Sequence, residues 1–326
     1  MMKKLLLLSA LMMLSAGSAW ADVEINETNF PDENFRSWLL AQSYGSDGVL
    51  TDEEIAGVSE IYVSHYSIQS LKGIEFFTAL TYLYCDKNQL TSLDVSKNTK
   101  LTGLWCYNNQ LTSLDVSKNT KLTELYCLDN QLTSLDVSGC TALTTLFCYE
   151  NQLTSLDVSG CTALTTLLCY ENQLTSLDVT KNTQLRTLGC HSNQLTSLDV
   201  SKNTALTILS CLQNQIKSAA MDALIESLPA TDKGEMYVIY YENEQNMMTT
   251  TQVAAAKAKG WTPYYTEDGT EWKEYAGVDP STEINNVEAS EADDSAPWYT
   301  INGVQLQGKP TAAGIYIQGG RKVVVK

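Results

Sequence analysis

Aromatic and acidic side chains recur at a fixed spacing of 21 residues through the middle of the chain. Aromatic rings offer large apolar surfaces and carboxylates offer charge, so the chemistry these residue types favour is recognition rather than bond breaking. The candidate partner-binding residues are Tyr84, Trp105, Tyr107, Tyr126, Asp129, Phe147, Tyr149, Glu150, Tyr170 and Glu171.

Residues that could carry catalysis are scarce. The chain has only two histidines, His65 and His191, and neither stands beside a serine or cysteine pattern typical of a nucleophile. The sequence contains no Gly-x-Ser-x-Gly elbow, Cys-x-x-Cys pair, glycine-rich phosphate loop or His-Glu-x-x-His motif. We therefore expect a protein that is not an enzyme and that requires no cofactor and no metal.

Charge excludes one class of partner. The 326 residues carry 38 acidic and 21 basic side chains, a formal net charge of −17. Binding to a phosphate backbone needs a positive surface, so we expect no nucleic-acid partner. The hydrophobic content of 44% is high enough for folded domains, which excludes disorder throughout the chain.

The first 21 residues have the features of a secretory signal peptide. A short basic start is followed by an apolar run over residues 5–14, and Ala19 and Ala21 offer small residues before a cleavage site. No later segment is apolar enough to span a membrane. We therefore expect an exported protein that is either secreted or held at the cell surface.

The 21-residue period belongs to a repeated unit. Its first leucine stands at Leu80, Leu101, Leu122, Leu143, Leu164, Leu185 and Leu206. The pattern Leu-x-x-Leu-x-Cys-x-x-Asn-x-Leu resembles the leucine-rich repeat over residues 58–216, in a subclass whose units consist of two similar halves of 10 and 11 residues. The resemblance implies an α/β leucine-rich-repeat solenoid with a curved parallel β-sheet, because a single unit cannot bury its own apolar face.

Two columns of the repeat are predicted to be structural. Seven of the nine cysteines follow the period, as does one asparagine in each unit, and we expect thiols in the core and amides that satisfy backbone groups of the turns. Cys140 and Cys161 occupy a second column, and a disulfide between these two remains an open alternative.

Segments on either side of the repeats are predicted to cap the solenoid. Residues 22–57 form a helical N-terminal cap, in which residues 43–54 resemble a degenerate EF-hand loop whose calcium binding stays open, although a simple connection is favoured. Residues 217–277 form an α/β C-terminal cap, because strand and helix patterns alternate there.

The end of the chain is predicted to be a linker and a small β module. Residues 278–294 are acidic and lack an apolar period, which is typical of a linker. Residues 295–326 contain a Gly-Ile-Tyr-Ile strand, a Gly-Gly turn and a basic, valine-rich end, and they resemble a C-terminal sorting domain of type IX secretion in the form of a hairpin. The resemblance leaves open whether this tail is cleaved or anchors the chain.

Differences between the repeats indicate where a partner would bind. They collect at the third, fifth, seventh and eighth positions, and strand alternation turns the odd positions outward. We expect non-catalytic recognition or adhesion through this aromatic and acidic face, with a protein partner from a host or a neighbouring cell, as the resemblance to bacterial surface leucine-rich-repeat proteins implies. A glycan-binding surface protein is the alternative, since aromatic rings also stack on sugars.

A column of exposed aspartates in the second half of the repeat has two interpretations. Capping of nearby backbone N–H groups is favoured over calcium binding. The column consists of Asp94, Asp115, Asp136, Asp157, Asp178 and Asp199.

Overall fold

The computed structural model describes residues 22–240, 244–278, 297–300, 305–311, 314–318 and 321–325. The predicted signal peptide, residues 279–294 of the predicted linker and the Gly-Gly turn of the predicted tail lie outside these residues. Two compact units make up the chain, one ending at Gln173 and the other beginning at Leu174.

The first unit opens with two short helices and a small antiparallel sheet. Strands β1 (Val23–Glu24) and β2 (Val49–Leu50) pair with each other, and helices α1 (Glu33–Leu40) and α2 (Asp52–Gly57) carry buried apolar side chains. Helix α2 begins with a capping box, in which the Glu54 carboxylate accepts from the N–H of Thr51 at 2.9 Å. The carboxylate that an EF-hand would use for calcium is therefore engaged in capping a helix.

Six parallel strands follow in the first unit. Each has three residues, and neighbouring strands are in register so that equivalent residues of successive repeats face each other. A single 3-10 turn, Ile74–Phe76, interrupts the series after the first strand. The strands are β3 (Glu60–Tyr62), β4 (Tyr82–Tyr84), β5 (Gly103–Trp105), β6 (Glu124–Tyr126), β7 (Thr145–Phe147) and β8 (Thr166–Leu168).

The interior of each turn is apolar and its backbone groups are paired by amides. From β4 onward the leucine at the centre of each strand and the cysteine that follows the strand are buried, and Ile61 and Val63 take these places in β3. Asn109 shows the pattern, since its Nδ2 donates to the carbonyls of Cys85 (3.0 Å) and Cys106 (3.1 Å) and its Oδ1 accepts from the N–H of Leu90 (3.0 Å). The asparagines therefore hold the turns together from within.

Cysteine replaces asparagine in the second column without forming a disulfide. All nine cysteines, which lie in the described part of the chain, are buried thiols. The Sγ of Cys140 lies 3.7 Å from the carbonyl of Val116, and the Sγ of Cys161 lies 3.4 Å from that of Val137. Asn119 serves the same purpose one unit earlier, donating to Val95 at 3.0 Å. The disulfide alternative is therefore not what the structure shows.

The second unit continues with parallel strands and adds two helices. Strands β9 (Thr187–Gly189) and β10 (Ile208–Ser210) are followed by α3 (Ala219–Ser227), β11 (Gly234–Tyr240), α4 (Thr250–Ala258), β12 (Trp261–Thr266) and β13 (Lys273–Glu274). Strand β11 pairs in parallel with β10 and with β12, and β13 adds an antiparallel edge. The strand–helix–strand alternation thus extends the sheet.

The tail has one strand more than a hairpin. Strands β14 (Trp298–Thr300), β15 (Gly314–Gln318) and β16 (Arg321–Val325) form an antiparallel sheet in this order. The additional strand arises because residues 298–300 pair with β15 on the side opposite β16.

These elements confirm the predicted fold class. The protein is an α/β parallel β-solenoid of leucine-rich repeats with about seven turns and few helices. No helix in the described ranges is long and apolar enough to cross a membrane.

Candidate functional site

The predicted aromatic side chains of the strands lie on one face of the first unit. In each strand the central leucine, or Ile61 in β3, points into the core, so the residues beside it point outward. Because the strands are in register, the outward residues of successive repeats form a continuous row, here named the ring column. It consists of Tyr62, Tyr84, Trp105, Tyr126 and Phe147.

Neighbouring rings of the ring column contact each other. Ring centroids are 4.5 Å apart between Tyr62 and Tyr84, 4.3 Å between Tyr84 and Trp105, and 5.2 Å between Trp105 and Tyr126. These three pairs are stacked, whereas Tyr126 meets Phe147 edge to face at 4.7 Å. A surface made in this way presents mostly ring edges and phenol hydroxyls to solvent, because the ring faces cover one another.

A second row lies beside the ring column, two residues further along each repeat. Tyr149 and Tyr170 stack at 4.2 Å, and Tyr149 is joined to the ring column through Phe147 at 6.3 Å. Tyr107 lies apart from this stack because Leu128 occupies the intervening repeat, and its hydroxyl is placed beside the buried carboxylate of Asp86. The structure therefore places the seven aromatic residues of the predicted site on one face, in two separate rows.

The acidic residues of the site follow the strands in a strained backbone conformation. Asp129, Glu150 and Glu171 have φ angles of 49°, 51° and 50°, in the left-handed region that favours glycine. Partial burial, followed by the charges of Glu171 and Asp129, raises the pKa of the Glu150 carboxyl. The three carboxylates thus form a row of like charges at one margin of the rings.

Burial also tunes the tyrosines. It raises the pKa of Tyr84 and of Tyr126, and a hydrogen bond to Glu60 raises the pKa of Tyr62 to about 12. All three phenols are therefore neutral at physiological pH, and the Tyr62 hydroxyl already donates its hydrogen bond to the Glu60 carboxylate.

Three residues of this face were missing from the predicted site. Tyr62 and Tyr82 contribute rings, with Tyr82 at 5.9 Å from Trp105. Gly103 is the third, because a Cβ there would lie 2.3 Å from Cζ3 of Trp105. The sequence offered one signal for Gly103, because this smallest residue stands two positions before the largest ring, Trp105, in the same repeat.

The aspartate column has a local structural role. In each case the carboxylate accepts a hydrogen bond from the N–H two residues later, as Asp136 does from Ser138 at 2.9 Å. Such bonds lower the pKa of Asp94, Asp115, Asp136 and Asp157. Among the described residues, no group of three or more histidine, cysteine or acidic side chains could hold a metal ion.

Comparisons with known proteins agree with this architecture. The family model "Leucine Rich repeats (2 copies)" matches residues 99–140. Internalin J of Listeria monocytogenes is 44% identical over 71 residues, which are 22% of this chain and 8% of that protein. The solved functional domain of InlJ from the same organism, described as including a cysteine ladder, has 36% identity and a TM-score of 0.62, over 75% of this chain and 56% of that domain.

A second solved structure supports the fold alone. Internalin C2 of Listeria monocytogenes has 21% identity and a TM-score of 0.57, over 64% of this chain and 96% of that one. The chain is thus a leucine-rich-repeat protein related to Listeria internalins. It spans only 8% of the curated relative and 56% of the solved InlJ domain.

Proposed function

We propose that this protein is a non-catalytic recognition or adhesion protein that binds a protein partner through its aromatic face, defined here as the ring column, the Tyr149–Tyr170 row and the carboxylates of Asp129, Glu150 and Glu171. The observation that carries the proposal is the collection of these side chains on one outward side of in-register strands. Internalin-like leucine-rich-repeat proteins are typically protein-interaction or adhesion proteins, which supports it.

A protein partner fits this surface better than a glycan. A sugar ring needs an aromatic face on which to stack, and most faces of the ring column are covered by the neighbouring ring at 4.3–5.2 Å. Ring edges, phenol hydroxyls and a row of carboxylates instead suit a surface with apolar and basic side chains. The acidic margin favours a basic or neutral partner.

The proposed location is outside the producing cell. The signal-like residues 1–21 support export, and the tail over 295–326 supports the type IX route because its sequence resembles the sorting domains of that route. We propose a partner on a host or neighbouring cell. Internalin homologues are surface or secreted proteins, which is consistent with this proposal.

The test is a pull-down from surface-labelled cells with the wild-type chain and with a double variant, Trp105→Ser with Tyr126→Ser. The matched control replaces two exposed threonines of the same repeats, Thr112→Ala with Thr133→Ala, which lie outside the strands. We expect the ring variant to lose the captured protein and the control to keep it. Equal capture by both variants would refute binding by the ring column, and capture of a glycan-only ligand would favour the alternative.

A further inference from the structure

The first strand of the repeat sheet has one open edge. Strand β3 is the terminal strand of its sheet among the described residues, and the β1–β2 sheet of the N-terminal segment is separate from it. On the side of β3 that faces β4, the N–H of Val63 donates to the carbonyl of Tyr84 at 2.8 Å. By strand alternation, the N–H and C=O groups of Glu60 and Tyr62 point away from β4, toward the open edge.

The ring column ends at this edge with an exposed ring. Tyr62 is 54% exposed, whereas every later residue of the ring column is half-buried. Its neighbour Tyr84 covers one face at 4.5 Å. Strands in a sheet lie about 4.8 Å apart, so a ring on one additional strand would continue the stack at the spacing seen inside it.

A cavity with acidic walls adjoins the same edge. It has a volume of about 420 Å³ and lies between helix α2 and β3. Two of its lining residues, Glu54 and Glu60, are acidic, so a basic side chain is the one that it would receive. Its lining residues are Tyr44, Glu54, Gly57, Val58, Ser59 and Glu60.

We propose that β3 is where an extended segment of the protein partner adds a strand to the sheet, with an aromatic side chain opposite Tyr62 and a lysine or arginine opposite Glu60. The inference rests on the proposed function, because it names the kind of segment that the aromatic face would recruit. Glu60 and Tyr62 lie two residues apart on one face, so the segment carries its basic and aromatic residues with one residue between them. Main-chain hydrogen bonds provide affinity in this mode of binding, and the two side chains provide specificity.

Synthetic peptides test this directly with the whole chain. The probe is the capped, fluorescein-labelled peptide Thr-Lys-Val-Tyr-Val-Thr, and the control peptide Thr-Lys-Tyr-Val-Val-Thr places the two key side chains on opposite faces. We expect the probe to bind at least fivefold more tightly in fluorescence polarisation. Methylating one alternate set of probe amides should abolish binding, and methylating the other set should leave it, because only one set faces the open edge. Equal effects of the two sets would overturn the inference.

Two substitutions of Glu60 separate backbone pairing from charge. Glu60→Ala removes the carboxylate, and Glu60→Pro also removes the N–H that faces the open edge while sparing the bonds to β4. We expect the proline variant to bind the probe about tenfold more weakly than the alanine variant. Equal binding by the two variants would refute strand addition. If the peptide tests fail but the Trp105 and Tyr126 variant still loses its partner, the edge inference alone falls and the proposed function stands.

Discussion

The indole of Trp105 packs directly over Gly103, so a larger residue at this position should displace the indole from the ring column. In Gly103→Ala the new Cβ would lie 2.3 Å from Cζ3 and 2.6 Å from Cη2 of Trp105, and 2.6 Å from Cδ1 of Tyr82. Contacts this short cannot persist, so the indole must swing away. Its stacking on Tyr84 and Tyr126 is then weakened or lost.

The expected effect of Gly103→Ala on stability is opposite in sign to that of a typical glycine-to-alanine substitution in a strand. Each aromatic pair contributes about 0.5–1.5 kcal/mol, so loss of both stacks would lower the free energy of unfolding by about 1–3 kcal/mol. Alanine in place of glycine within a strand raises it by roughly 0.5–1 kcal/mol. The balance is a net destabilisation of up to about 2.5 kcal/mol, where strand propensity alone predicts stabilisation.

The assay combines urea unfolding with near-UV circular dichroism of the folded chain, which reports all of its ordered aromatic side chains, the Trp105 indole among them. The matched control is Thr145→Ala, at the same position of a repeat that has no tryptophan. We expect the Gly103 variant to lose the part of the near-UV signal that comes from the stacked indole and to lose partner binding, and the control to keep both. A Gly103→Ala chain that is more stable than wild type, with an unchanged near-UV spectrum, would refute this account of the ring column.

Three further substitutions test the turns. Asn109→Ala should lower the free energy of unfolding in urea by about 2–4 kcal/mol, because it leaves buried carbonyls without a donor; an effect below about 1 kcal/mol would contradict that role. Glu150→Gln should raise the melting temperature at pH 7 but not at pH 3. The folded pKa of Glu150 is raised above its unfolded value, so ionisation destabilises the fold above that pKa and both forms are neutral at pH 3; equal melting temperatures at pH 7 would argue against this. Cys140→Asn should change the free energy of unfolding by less than about 1 kcal/mol, since an amide at the equivalent Asn119 already donates to a backbone carbonyl, and a large loss would contradict the equivalence of the two residues.

The fold was predictable because the repeat period carries it. A leucine every 21 residues, with a second leucine three residues later, requires a strand whose central residue is buried, and Leu83, Leu104 and Leu125 occupy that position. The asparagine column was predictable for a related reason, since a buried turn must satisfy its carbonyls. In both cases one physical requirement recurs in every unit, so each repeat reinforces the same interpretation.

The arrangement of the site was less predictable because it depends on contacts between repeats. Periodicity placed Tyr84 and Trp105 in one row, but it could not say that their faces would cover each other at 4.3 Å. The left-handed backbone at Glu150 was also hidden, because glutamate has no preference for that conformation. Gly103 could be understood only once the position of the indole beside it was known.

The structure also refines the inference drawn from variation between repeats. The aspartates of the second half are held by hydrogen bonds to backbone N–H groups, so their constancy has a structural cause. Thr112 and Thr133, by contrast, are exposed and identical in type, and recent duplication of the repeats accounts for such sameness without any selection. Gly103, Glu124 and Thr145 occupy the same strand position in three successive repeats but differ in type. Duplication does not explain why the differences collect at such positions. Those differences lie beside or beneath the rings of the ring column, and this is why we place recognition on that face rather than on the exposed turns.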